Sequence, residues 1–504
     1  MGHTLVIDTI EAAGRTFKGG AKLFIKNLKC VAFFEPCSDY LKLTRDERRG
    51  IVIPDESKLY GFDWMREDYI EDDIYGYYWD SRTFAKDSDG NNLPEPIDEK
   101  IDSMPFSKLE DEYKTIPNLK DQDEKYYVPW LSLSNGASAR VDIKFKWNHK
   151  PNEILLEYDD ASLTITHEDI QAKKAIKVSR KYNNLKIACT NTFAANQEIK
   201  IKADGLLVGK LMLVPNDTVR QVNVGWCFVD FNGKDDIDAL RNVVDKQKIT
   251  KMLTYLGLKQ AQLDVAVTAT PHTLNLPQAF PLNQFLVKTK VCTTLVQAEN
   301  DILAGKVSID GNVTSKKGDI EKEIKGDMEI RYNKAVVNSE TVFPFNKTNY
   351  ITPKDWSYSG KDGDKDSIID KVPFKNDLFA HYRNIIKENN GYDIVLVFVN
   401  ETATITQKDT LNKKIKEISR LSGEAEKFNG KFVVIYEGFE EMVLVHEVLH
   451  CMSLKHSFGS VREHSFKALK TENIMDYNVE GTSDRRESLW KWQWEKLWEW
   501  HKNK

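Results

Sequence analysis

Cysteine is scarce. Six are spread over 504 residues, as Cys30, Cys37, Cys189, Cys227, Cys292 and Cys451. They form no CxxC pair and no dense framework, which excludes a disulfide-stapled scaffold and a cysteine-built zinc module. Reduced, buried thiols are expected, with Cys30 and Cys37 the one pair near enough to leave a bridge open. No apolar run approaches the roughly 20 residues needed to cross a bilayer, so no membrane span is expected. Neither charge sign dominates: 72 basic residues face 77 acidic ones, a net charge of −5. With no long basic run, a nucleic-acid partner is not expected. The N-terminus lacks a basic start followed by a clean apolar core, because Asp8 and Glu11 interrupt it. Synthesis in the cytoplasm without a conventional signal peptide is the expectation. What remains, at 41% apolar and 30% charged, is a globular chain too long for a single hydrophobic core.

The chain reads as multidomain, a β-rich N-terminal half followed by an α/β region. Residues 1–125 resist assignment. They contain the acidic, aromatic stretch "FDWMREDYIEDDIYGYYWD", which suits either a docking surface or a set of core aromatics. Residues 126–232 hold short alternating runs such as "SARVDIKFKW", "NLKIACTNT" and "QEIKIKAD", punctuated by Asn, Asp and Gly. Antiparallel sheets in a sandwich-like module, of immunoglobulin-like type, fit that spacing.

"FNGKDD" marks a boundary, and residues 236–504 form the third region. Helical spacing runs through "IDALRNVVDKQKITKMLTYLGL". After it come a strand "QLDVAVTATP", a helix "KNDLFAHYRNIIKENN", a strand "YDIVLVFVN", a helix in "LNKKIKEISRLSGEAEKF" and a strand "KFVVIYEGF". Asp362, Asp364 and Asp366 stand two apart like the start of a calcium loop. The loop glycine and the closing glutamate are missing, which favours a solvated turn. The closing segment "SLWKWQWEKLWEWHKNK" places Trp490, Trp494, Leu497 and Trp498 on one helical stripe. It reads as a membrane-interface helix or as a closing helix packed on its own domain.

The chemistry lies in "VHEVLHCMSLKHS". A helix from Glu440 to about Met452 puts His446 and His450 one turn apart on the same face, where two imidazoles reach one ion. Glu447 is placed to reach a water on the metal. His456 would lie about 15 Å further along a continuous helix and off its face. The helix must therefore end near Ser453, with a residue at positive φ at a cost of about 1 kcal/mol for serine. Cys451 points about 100° away from the histidine face and reads as a core residue. His464 reads as a loop residue.

His446-Glu447-x-x-His450-x-x-Ser453-x-x-His456 resembles the HExxHxxGxxH signature of the metzincin zinc peptidases, with serine in place of glycine. "ENIMDYN" resembles their Met-turn, with Met475 as the methionine and Tyr477 as the tyrosine of the astacin, serralysin and pappalysin branches. The resemblance covers about residues 236–504. It implies a Zn²⁺ held by His446, His450 and His456, a structural Met475, and catalytic Glu447 and Tyr477, the tyrosine assisting the oxyanion.

The function expected is a secreted or intracellular zinc metalloendopeptidase that hydrolyses protein or peptide substrates. The strand "KFVVIYEGF" would form the cleft edge. Two alternatives stay open, a metal-stabilised non-catalytic binding protein and a hydrolase of cell-wall peptides. Export as an effector or toxin by a specialised secretion system, whose machinery would be the partner bound through residues 1–232, stands beside the plain reading of an intracellular peptidase.

Overall fold

The computed structural model describes residues 4–12, 15–24, 30–37, 60–79, 84–86, 92–96, 98–121, 124–170, 174–230, 234–275, 280–324, 328–337, 368–370, 391–400, 402–408, 415–437, 441–459, 462–477 and 488–504. The chain is β-rich, with several separate sheets. Two compact units are assembled from separated stretches. The first takes Met1–Gln221, Lys251–Asp264 and Ser453–Lys504, and the second takes Val222–Thr250 and Val265–Met452.

In the first unit, ten strands form two sheets around one core. They are β1 (Cys30–Pro36), β2 (Tyr60–Asp63), β3 (Trp130–Leu133), β4 (Ser138–Trp147) and β5 (Ile154–Glu157), then β6 (Leu163–Thr166), β7 (Ala175–Ile176), β8 (Lys181–Cys189), β9 (Gln197–Ala203) and β10 (Leu206–Leu213). The sheets run in the orders β7-β5-β9-β10-β3-β2 and β6-β8-β4-β1. Alternation decides which face is buried: Ala139, Val141, Ile143 and Phe145 of β4 enter the core, while Arg140, Lys144 and Lys146 face outward. Between Val141 and Ile143 the β4–β8 register shifts. There Asn184 takes φ 60 and donates its N–H to Asp142 Oδ1 at 2.9 Å, the local geometry of a bulge.

Two features depart from the sequence reading. The sandwich recruits β1 and β2 from ahead of residue 126, and β3 runs parallel to β10 instead of antiparallel. The short link from β3 to β4 crosses between sheets and does not turn back within one, so β3 is free to enter in the parallel sense.

The aromatic stretch of residues 62–80 is core where it is described. Tyr69, Tyr75 and Trp79 are all buried. Arg66 is buried and reaches Asp63 at 2.7 Å, Ser488 Oγ at 3.3 Å and the Glu472 carboxylate. Its guanidinium lies 4.1 Å from the Trp64 ring centroid and 4.9 Å from that of Trp490. Asp63 also accepts from Tyr113 Oη and the Lys491 N–H, each at 2.9 Å. A buried charge is tolerated only when paired and hydrogen-bonded, and these contacts meet that condition.

The C-terminal helix, Lys491–Asn503, belongs to the same unit. Trp490, Trp492, Trp494, Leu497 and Trp500 are buried, and Trp498 donates its indole N–H to Ala261 O at 2.6 Å. The tryptophan stripe is thus spent on packing. Among the described residues, no helix is long and apolar enough to cross a membrane. All six cysteines are buried and none is in a disulfide, so Cys30 and Cys37 are not bridged. Burial pushes the Cys30 thiol up to about 11.

The second unit is built on a mixed sheet. Its strands are β11 (Arg220–Asp230), β12 (Leu263–Val267), β13 (His272–Asn275), β14 (Ile394–Val399), β15 (Gly423–Ala425) and β16 (Phe432–Ile435). The order is β12-β11-β14-β16-β15, with β13 also pairing with β11. β11, β14 and β16 are mutually parallel, and every residue of β14 is buried, as a continuous apolar run on a central strand requires.

Two expectations fail here. The described part of "LNKKIKEISRLSGEAEKF", from Ile415 on, is not a helix: Ile415–Leu421 is a strand antiparallel to Thr402–Lys408, followed by β15. Its apolar residues have helical spacing, but pairing with a β-branched neighbour strand overrides local propensity. β16, expected at an edge, is hydrogen-bonded on both sides, and β15 is the end strand of this sheet among the described residues. The expected helix at 375–390 and the Asp362–Asp366 run lie outside the described residues.

Candidate metal centre

Helix α1 (Glu441–Cys451) carries the first part of the motif. Met442, Leu444, Val445, Val448 and Leu449 are buried, and so are His446 and His450. An α-helix that is buried nearly all round is fixed in rotation, which fixes where its histidines point. Gly423 of β15 allows α1 to pack this closely. A Cβ there would stand 3.0 Å from a Val443 methyl and 3.0 Å from an Ile435 methyl.

The helix closes with the Met452 N–H on Val448 O at 3.0 Å. Ser453 then adopts φ 70, the left-handed conformation that ends helices. The chain turns back, and the ligand nitrogens of His446, His450 and His456 all lie within 4.8 Å of one another. The His446 and His450 rings meet edge-on with centroids 4.7 Å apart.

Three neutral imidazoles are a zinc donor set, and two nitrogens at about 2.0–2.1 Å from one tetrahedral zinc stand ~3.4 Å apart, with ~4.2 Å the outer limit for any geometry. The cluster is within a small side-chain adjustment of that limit, so the residues present fit the ion.

Glu447 is partly exposed, and its Oε2 accepts the Ala425 N–H at 2.7 Å. Glu426 N–H bonds to Phe432 O and Tyr436 N–H to Ser422 O, so residues 422, 424 and 426 face β16. The main-chain groups of Gly423 and Ala425 therefore face away from β16, on the side where no described strand pairs, and Glu447 is anchored to that side. Cys451 is fully buried, and its thiol contacts Phe432 O at 3.4 Å. Desolvation raises its pKa, as a core thiol requires.

Met475 is fully buried in a tight turn closed by Asp476 N–H on Asn473 O at 2.9 Å. Its carbonyl accepts the Ser457 N–H at 3.0 Å, tying the turn to the residue after His456. Two buried side chains that the sequence reading missed build this turn. Asn473 Oδ1 accepts the Met475 N–H at 2.9 Å, and the Asn473 amide exchanges two hydrogen bonds with that of Gln493, at 2.8 and 3.0 Å. Asp476 accepts from the N–H groups of Leu469, Thr471 and Tyr477 and from Thr471 Oγ1. Burial pushes its carboxyl up to about 6, against the pull of those donors. An Asn or Asp beside a tight turn is a weak signal, because only the fold supplies the distant partner.

Tyr477 stands with its ring centroid 4.6 Å from that of His456. His464 is occupied elsewhere, with Nδ1 3.0 Å from Tyr75 Oη and Nε2 3.1 Å from Glu112. A second group of possible ligands, His167, Glu168 and Asp169, is not a comparable site. His167 Nδ1 accepts the Asp169 N–H and its Nε2 meets Asn183 O at 2.9 Å, so both ring nitrogens are engaged.

No family model matches the chain, and no curated protein matches it. Among solved structures it is similar to domains 4 and 5 of the S-layer protein SbsC, at 12% identity over 28% of this chain and 99% of that one. The TM-score is 0.13, too low for the likeness to carry an argument about fold or function.

Proposed function

We propose that the chain is a zinc-dependent endopeptidase of metzincin type. One observation carries the reading: the chain reverses at Ser453 and brings His456 to the two histidines of α1, all three ligand nitrogens lying within 4.8 Å of one another. His446, His450 and His456 would hold the ion. When bound, zinc lowers the pKa of a water and polarises the scissile carbonyl.

The chain's own residues supply the rest. Glu447, held at one oxygen by the Ala425 N–H, takes a proton from the attacking water as the C–O bond forms. It returns that proton to the amine nitrogen as the C–N bond breaks. Tyr477 donates its phenolic hydrogen to the oxyanion that develops on the carbonyl oxygen. An extended substrate would align along β15, whose outward main-chain groups at Gly423 offer strand-addition contacts.

The test is Glu447→Gln in the full chain. Zinc content near one per chain should persist while digestion of a peptide library is lost. Undiminished hydrolysis by the variant would sink the assignment, and zinc without cleavage by the unaltered protein would favour a non-catalytic metal-stabilised role.

A further inference from the structure

His456 differs from the other two histidines in what holds it. His446 and His450 are set by a buried helix, whereas residues 453–459 form neither helix nor strand. Something else must fix the third imidazole. Phe458, itself buried, stacks on it with ring centroids 4.7 Å apart and planes inclined by 11°. Tyr477 packs against both rings, 4.6 Å from His456 and 4.9 Å from Phe458.

Behind this pair lies Trp79, from far upstream in the chain. Its ring centroid is 5.1 Å from that of Phe458 and 5.9 Å from that of Tyr477, the latter edge-on. The tryptophan is buried and belongs with Phe458 and Ala468 to one small apolar cluster, with Leu469 and Tyr477 packed against it.

The main chain fixes Trp79 as firmly as the rings do. Gly76 N–H bonds to Ser465 O at 2.8 Å, Lys467 N–H to Ile74 O at 2.9 Å, and Trp79 N–H to Phe458 O at 3.0 Å. Tyr75 and Phe466 form an antiparallel bridge. Phe466 N–H in turn bonds to Ser457 O at 2.9 Å. The segment Ile74–Trp79 is thus laid against the loop that carries His456, and every ring in the stack is referred back to it.

We infer that Trp79 is a positioning residue for the metal centre. Through Phe458 and Tyr477 it sets the orientation of the His456 imidazole and of the Tyr477 phenol, so the N-terminal region is part of the site's construction and not a detachable spacer. This rests on the zinc-peptidase reading. Removing the indole leaves space into which Phe458 and Tyr477 can turn, and His456 loses the flat surface that holds its ring. Supporting groups around a metal ligand typically change affinity by about 10–100-fold when removed.

The experiment uses the full chain as Trp79→Ala, Trp79→Leu and Trp79→Phe. Leu185→Ala, in the sandwich core, serves as a control for general destabilisation. Zinc release to a chelator and the visible absorption of the cobalt-substituted protein are read alongside peptide hydrolysis.

Trp79→Ala, or Trp79→Leu should the alanine variant not fold, is expected to release zinc at least about 10-fold faster and to alter the cobalt spectrum. Trp79→Phe should restore both to near the original values, and Leu185→Ala should leave both unchanged. Unaltered zinc release and cobalt spectrum in every Trp79 variant overturn the proposal, as does an equal effect from Leu185→Ala. Failure of the unaltered protein to bind zinc overturns the underlying reading as well, and that result is distinct because it precedes any substitution.

Discussion

Replacing Gln493 by Met tests whether the tight turn at Met475 is held by its contact with the C-terminal helix. Gln493 and Asn473 are both fully buried. In Gln493→Met, two buried donors lose their partners: Asn473 Nδ2, which gave to Gln493 Oε1 at 2.8 Å, and the Trp490 N–H, which gave to the same oxygen at 2.9 Å. Each stranded donor costs about 1–3 kcal/mol, so the variant should lose about 2–6 kcal/mol. Asn473→Leu likewise strands Gln493 Nε2 and the Met475 N–H. In the double variant only the Trp490 and Met475 N–H groups remain unpaired. Its cost should therefore fall short of the sum of the singles by the price of two donors, about 2 kcal/mol or more. Urea unfolding followed by near-ultraviolet circular dichroism of the buried tryptophans measures all four corners of the cycle. Additivity within about 0.5 kcal/mol would show the two amides to be energetically independent and refute the reasoning.

Ser453→Gly should keep zinc and stabilise the protein by about 0.5–1 kcal/mol, because glycine takes φ 70 without a Cβ penalty but gains freedom when unfolded. Ser453→Val should lose about 1–2 kcal/mol and weaken zinc binding, since a branched Cβ suits that conformation worst; equal behaviour of the two variants in thermal melts and zinc titration would contradict the turn's role. Ser457 Oγ is buried with no hydrogen-bond partner among the described residues, so Ser457→Ala should be neutral or stabilising by up to about 1 kcal/mol in the same melts. A loss above 1 kcal/mol would mean that the hydroxyl has a partner. Zinc affinity should fall steeply as the pH is lowered, because only neutral rings ligate and up to three protons compete with one ion. Retention of the metal well below pH 5, read by atomic absorption after dialysis, would exclude an all-imidazole site.

Residue spacing alone determined the parts of this protein in which neighbours in sequence are neighbours in space. His446 and His450 share a helical face by the period of the helix, and the need to reverse the chain before His456 marked Ser453 for the left-handed conformation it adopts. The alternation in "SARVDIKFKW" likewise settled which face of β4 is buried. Where the deciding partner is distant, sequence was silent or misleading. The residues of 415–421 have a helical period and form a strand, because Thr402–Lys408 offers a ladder. The end of the sheet fell to β15 and not to β16 because sheet order depends on which strands flank each other, a property absent from any one of them. Gln493 and Asn473, or Trp79 and Phe458, carry no local mark of their pairing. Long-range contacts are set by which surfaces the folded core brings together, and only the tertiary structure could place a tryptophan from the N-terminal region behind the third histidine.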